Sequence, residues 1–106
     1  MGSGTERVLE LVVFQLREGT TREQLLGTVD AVSEWVGEQP GFIARELLDD
    51  AEGGRWIDLV WWNTLEDAQR AAERAMTSET CAPMFSLIDM DSTLMVHGVP
   101  VHAAGT

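Results

Sequence analysis

The chain has 106 residues, enough for one domain with a single core and too few for a second. Acidic residues number 18 against 7 basic ones, all of them arginine, for a net charge of -11. That balance excludes a nucleic-acid partner, which needs a basic surface to neutralise phosphates, and argues against an anionic membrane surface. Neutral or weakly acidic small molecules remain as ligands.

Apolar residues make up 44% of the chain, enough to build a core. The single cysteine, Cys81, cannot form an internal disulfide, and with His97 and His102 it offers no zinc-ligand spacing. No metal site is expected, and the reducing cytoplasm is the expected compartment. No apolar run approaches the roughly 20 residues that span a bilayer, and the N-terminus lacks the order of a signal peptide. Residues 1–7, opening MGSGT, are read as a flexible leader, 8–99 as the single domain and 100–106 as a tail.

Residues 8–16, VLELVVFQL, form the first predicted strand, ended by Glu18-Gly19. Val8, Val12, Phe14 and Leu16 alternate with Leu9, Leu11 and Val13, so both faces are apolar and both should be covered. Thr20 and Glu23 stand at capping-box spacing before a helix with Leu25, Val29, Val32 and Val36 on one face. That helix should stop at Gly37, ahead of Pro40-Gly41.

Two strand-like runs, 42–50 and 55–62, flank Ala51-Glu52-Gly53-Gly54, a linker of hairpin length. A tight turn there pairs Asp50 with Arg55, sets Leu47 opposite Asp58 and Arg45 opposite Val60, and makes Arg45 and Asp58 diagonal neighbours. Asn63, with Glu66 three residues on, is the predicted cap of a second helix striped by Leu65, Ala68, Ala72 and Ala75. Residues 78–87 read as a short helical turn broken by Pro83, and 90–99 as the last strand.

The order strand, helix, strand, strand, helix, strand is that of the α+β ferredoxin-like βαββαβ fold, with strands one and three central in an antiparallel sheet. Ile57, Leu59 and Trp61 on the third strand have no helix layer to cover them. A homodimer packed sheet to sheet would remove this exposed patch.

PGFIARELL at 40–48, the Gly-rich hairpin and RWIDLVWWNTLEDAQRAA at 55–72 together resemble the antibiotic biosynthesis monooxygenase-type domain of the dimeric α+β barrel superfamily, over residues 8–99. The resemblance implies a dimeric barrel and, among its quinone-forming branch, oxidation of an aromatic substrate without a cofactor. Trp62 matches a functional tryptophan of those enzymes, and Asp58 stands where they carry asparagine. Haem-degrading relatives take an axial histidine from a helix, whereas His97 and His102 lie on the last strand and tail, which sets that branch aside. The superfamily also holds polyketide cyclases, isomerases and domains without a known reaction, so a cyclase or isomerase, or a non-catalytic binding domain, is the alternative reading.

Asp58 is therefore the candidate general base, with pairing to Arg45 as its purely structural alternative. Trp56 and Trp62 share its strand face and suit a planar aromatic ligand. Arg45 is a candidate anchor for a phenolate or carboxylate, and His97 a proton-transfer partner. Met84 and Met95, within a group that includes Met76 and Met90, are candidate cavity residues. Trp35 and Trp61 are assigned to core packing. No cofactor-binding motif occurs in the sequence.

Overall fold

A computed structural model describes residues 7–105. Of the expected leader, residues 1–6 lie outside the described residues. Elements follow in the order β1 (Val8–Leu16), α1 (Arg22–Gly37), β2 (Phe42–Asp49), β3 (Trp56–Trp62), α2 (Leu65–Ala75), α3 (Ala82–Phe85) and β4 (Ile88–Gly98). The four strands form one antiparallel sheet in the order β2-β3-β1-β4, so β1 and β3 are central as predicted.

The hairpin register matches the sequence reading pair for pair: Leu47 lies opposite Asp58, and Arg45 opposite Val60. Its turn closes where the Asp50 backbone N–H donates to the Arg55 carbonyl at 3.1 Å. Gly53 and Gly54, both at φ +91°, supply the left-handed backbone that the turn requires. The Asp50 carboxylate accepts from the Glu52 backbone N–H and from Arg55 Nε, which holds it below the ordinary carboxylate range.

Both helix caps fall one residue later than expected. Thr21, not Thr20, caps α1, closing a capping box with Gln24 rather than with Glu23. Thr64, not Asn63, caps α2, its side chain accepting from the Asp67 N–H at 3.0 Å. In each case the hydroxyl used belongs to the last extended residue, and the preceding residue is still part of the incoming chain. Gly41, at φ +83°, lets the connection from α1 to β2 pass α2 closely: a Cβ there would come within 2.7 Å of Asp67 Cβ.

On α2, Ala68 and Ala71 are buried and Leu65 is exposed, so the stripe is rotated from the expected one. Strand β4 begins at Ile88, two residues before the predicted 90, because Ile88 is buried in the core. Its pairing with β1 shifts register between Val13 and Gln15, a bulge that the strand pattern does not announce.

The helices cover one face of the sheet. On the other, Leu9, Leu11, Val13, Ile57, Leu59 and Trp61 are only half-buried, and Leu94 and Val96 are exposed. The Arg7 guanidinium lies 4.6 Å from the centre of the Trp61 ring. Among the described residues no helix is long and apolar enough to cross a membrane.

Candidate functional site

The core beneath the helices is split. One cluster contains Phe14, Leu25, Val32, Trp56, Cys81, Met84 and Ile88; the other contains Val60, Trp62, Ala68 and Ala71. Between them lies a cavity of about 380 Å³, within the ordinary range for small-molecule sites. Val12, Val60 and Trp62 form its floor, Trp35 and Val36 of α1 and Ala71, Ala72 and Ala75 of α2 its walls, and Phe85 of α3 a further wall. Met76 and Met95 line it while remaining exposed, which places them at its mouth.

Strand register delivers the polar groups. Arg45, Val60, Glu10 and His97 stand in one row across β2, β3, β1 and β4, and Leu47, Asp58, Val12 and Met95 stand in the next. Side chains in both rows point toward the helices. Arg45 binds Asp58 through both carboxylate oxygens, Nε to Oδ1 at 3.0 Å and Nη2 to Oδ2 at 2.8 Å. Its Nη1 donates to Ser33 Oγ at 2.9 Å. The pair is buried, with side-chain exposures of 4% for Arg45 and 14% for Asp58. The structural alternative for Asp58 is thus realised in its geometry, although the carboxylate still lines the cavity.

Beside that pair stands a second carboxylate, which the sequence reading passed over. Glu10 is 8% exposed over the whole residue, so it is buried nearly as deeply as Arg45. Trp62 Nε1–H donates to its Oε1 at 3.2 Å. His97 Nε2 lies 3.5 Å from its Oε2, within ion-pair range but without forming a hydrogen bond. Burial pushes the Glu10 carboxyl above its ordinary value and the charge of Asp58 adds to this, while the Trp62 bond and His97 act in the opposite direction.

A stability prediction follows from the sign of that shift. A carboxyl whose folded-state pKa is raised favours the fold while protonated, and this advantage is lost as pH rises from the unfolded value of 4.5 through the folded one. The melting temperature of wild type should therefore fall relative to that of Glu10→Gln as pH rises through this window. A gap that stays constant from acid to neutral pH would contradict the assignment of burial as the dominant cause.

The remaining sequence candidates divide. Trp62, 1% exposed, Asp58, Arg45 and Met95 line one cavity. Trp56 does not: it belongs to the first core cluster and lines a separate depression of about 630 Å³ between α1 and β2, with the Arg22 guanidinium 5.1 Å from its ring centre. Met84 is buried under Arg45, its sulfur 3.8 Å from Nη2, and is a packing residue. Met90 is exposed and lines neither site. His97 reaches the site through Glu10. Trp35 packs against the first core cluster, as expected, and is also a cavity wall. Among the described residues no three His, Cys, Asp or Glu side chains converge as metal ligands.

The same arrangement of sheet and helices occurs in SnoaB, a cofactor-independent oxygenase from Streptomyces nogalater, with a TM-score of 0.68 at 14% identity over 94% of this chain and 96% of that one. A monooxygenase from the ActVA-Orf6 gene of Streptomyces coelicolor, solved in complex with nanaomycin D, superposes with a TM-score of 0.65 at 18% identity over 99% of this chain and 96% of that one. A Bordetella bronchiseptica protein grouped with the antibiotic biosynthesis monooxygenases gives 0.73 at 14% identity over 92% and 99%. The chain has the antibiotic biosynthesis monooxygenase fold. No protein-family model and no curated protein sequence matches it. The likeness is one of backbone architecture.

Proposed function

We propose that the protein is a cofactor-independent monooxygenase that oxidises a planar, electron-rich phenolic ligand, of the polycyclic polyketide type, with O₂. The observation that carries this reading is the cavity itself: an apolar chamber of about 380 Å³, walled by Trp35, Trp62 and Phe85, with carboxylates on its floor. Flat aromatic walls favour a flat ring, and a weakly acidic hydroxyl or activated methylene is the group that a buried carboxylate can ionise.

The work asked of the protein is small. A carboxylate removes a proton from the ligand, and the resulting electron-rich anion passes electrons to O₂. Addition of oxygen at a ring CH₂ followed by loss of water turns that carbon into a carbonyl, so one oxygen atom enters the product and the other leaves as water. Trp62 holds the ring in place. Arg45 holds the Asp58 carboxylate in place through two hydrogen bonds, and the guanidinium charge sits beside the developing anion. The oxygenases SnoaB and ActVA-Orf6 share this fold, which favours oxidation over a cyclase or isomerase reaction.

An oxygen electrode tests the reading with anthrone, a tricyclic with one activated methylene. Purified protein freed of metal and flavin should consume one O₂ per anthraquinone formed. Anthrone bound without oxygen uptake would reject it in favour of a binding domain.

The half-buried sheet face fits a second copy of the chain, and we assign it to a homodimer interface in which sheet packs on sheet. Sedimentation equilibrium at micromolar concentration should give twice the chain mass, with Leu59→Glu monomeric. A wild-type monomer would contradict this assignment.

A further inference from the structure

We propose that Glu10, rather than Asp58, accepts the ligand's proton, and that His97 passes it on to solvent. The assignment rests on the cavity being a site for weakly acidic ligands, and it depends on how the two carboxylates are held. Asp58 has both oxygens engaged by a fixed cation. Glu10 has none: one oxygen takes the neutral Trp62 N–H, and the other faces an imidazole nitrogen that forms no hydrogen bond. A cavity with two carboxylates in such unequal surroundings divides their roles, one staying ionised and the other exchanging protons.

Every element around Glu10 fits this division. From β3 it faces Trp62 and Asp58, the latter paired with Arg45 of β2. From β4 it faces His97, directly opposite in the register. The α1 wall is apolar, and α2 contributes Glu73, which is exposed. His97 is the one group in this set able to carry a proton outward, since its side chain is 23% exposed at the sheet edge while Nε2 is buried against Glu10. Burial and the neighbouring Asp58 charge make the Glu10 carboxylate a stronger base than an exposed one.

The step balances without an oxidant. The ligand O–H or C–H bond breaks, its electron pair stays on the ligand, and the proton binds Glu10 Oε2. Glu10 then gives the proton to the lone pair of His97 Nε2, the imidazolium loses its Nδ1–H proton to water, and a ring flip turns the unprotonated nitrogen back to Glu10. Glu10 returns to its ionised form, and His97 to neutral. One proton shared by the pair also satisfies the buried Nε2, which has no partner otherwise.

Proton abstraction can be read without oxygen, by anaerobic loss of deuterium from methylene-deuterated anthrone. Wild type should accelerate the loss, and Glu10→Gln should lower the rate about 10²-fold or more. In His97→Asn the loss should slow, because the deuteron held by Glu10 returns to the carbon. Full exchange in Glu10→Gln would overturn the assignment. A second measurement needs no ligand and no variant: carboxyl and imidazole NMR titrations of wild type should show Glu10 and His97 responding to each other's protonation. Independent titrations would overturn the proton-sharing pair whatever the exchange result. Linked titrations without any exchange would uphold the pair and reject the ligand reading instead, and exchange without oxygen uptake would reject only the oxidation.

Discussion

Replacing Arg45 with methionine should destabilise the fold by about 3–5 kcal/mol, because it strands the Asp58 carboxylate in a site too dry to solvate it. The guanidinium is almost fully enclosed, and besides its two bonds to Asp58 it ties β2 to Ser33 of α1. An exposed pair of the same geometry would contribute about 0–1 kcal/mol. The double variant Arg45→Met with Asp58→Leu should recover most of the loss, since apolar side chains of similar volume commonly replace a buried pair at little cost. Urea unfolding at fixed protein concentration measures both. A loss under about 1 kcal/mol in the single variant would show that water reaches Asp58 freely, which would undo the division of roles between the two carboxylates.

Trp62 carries the second large effect. Its ring is fully enclosed, packs edge-on against Phe42 at 6.0 Å between centroids, and floors the cavity. Trp62→Ala should cost about 3–5 kcal/mol. Trp62→Phe keeps most of the packing but removes the N–H that Glu10 Oε1 accepts. That bond is the first of the influences lowering the Glu10 carboxyl, so its loss must move the Glu10 titration upward. A carboxyl NMR titration of Trp62→Phe reads this directly, and an unmoved or lower midpoint would contradict the hydrogen bond as a determinant of Glu10.

Legibility followed the range of the interactions. The β2–β3 hairpin could be read residue by residue because the Gly-rich loop fixes its length and the alternation fixes its faces; the Arg45–Asp58 contact came with that register. Caps were misplaced where adjacent residues, Thr20-Thr21 and Asn63-Thr64, offer the same chemistry and only the backbone path chooses between them. Trp56 and Trp62 do share a strand face, but six residues at about 3.3 Å each put them roughly 20 Å apart, at opposite ends of β3 and in different depressions.

Glu10 was the main omission, and its signal was present: a single carboxylate interrupting a strand that is apolar on both faces. What the strand pattern could not supply was its surroundings, since Trp62 and His97 reach it from strands 52 and 87 residues further along the chain. Met84 illustrates the converse. Its proximity in sequence to the cavity-lining Cys81 and Phe85 says nothing about which side of a four-residue helix it occupies, and it faces Arg45 instead.

The most direct test of oxidation within this cavity is isotopic. Metal-free, flavin-free protein turning over anthrone under heavy-isotope dioxygen should place one labelled oxygen in the new carbonyl and release the other as labelled water, and Glu10→Gln should lose both products together. A product whose new oxygen comes from unlabelled water, or labelled product formed equally fast by Glu10→Gln, would contradict cofactor-free oxygenation driven by the cavity carboxylate.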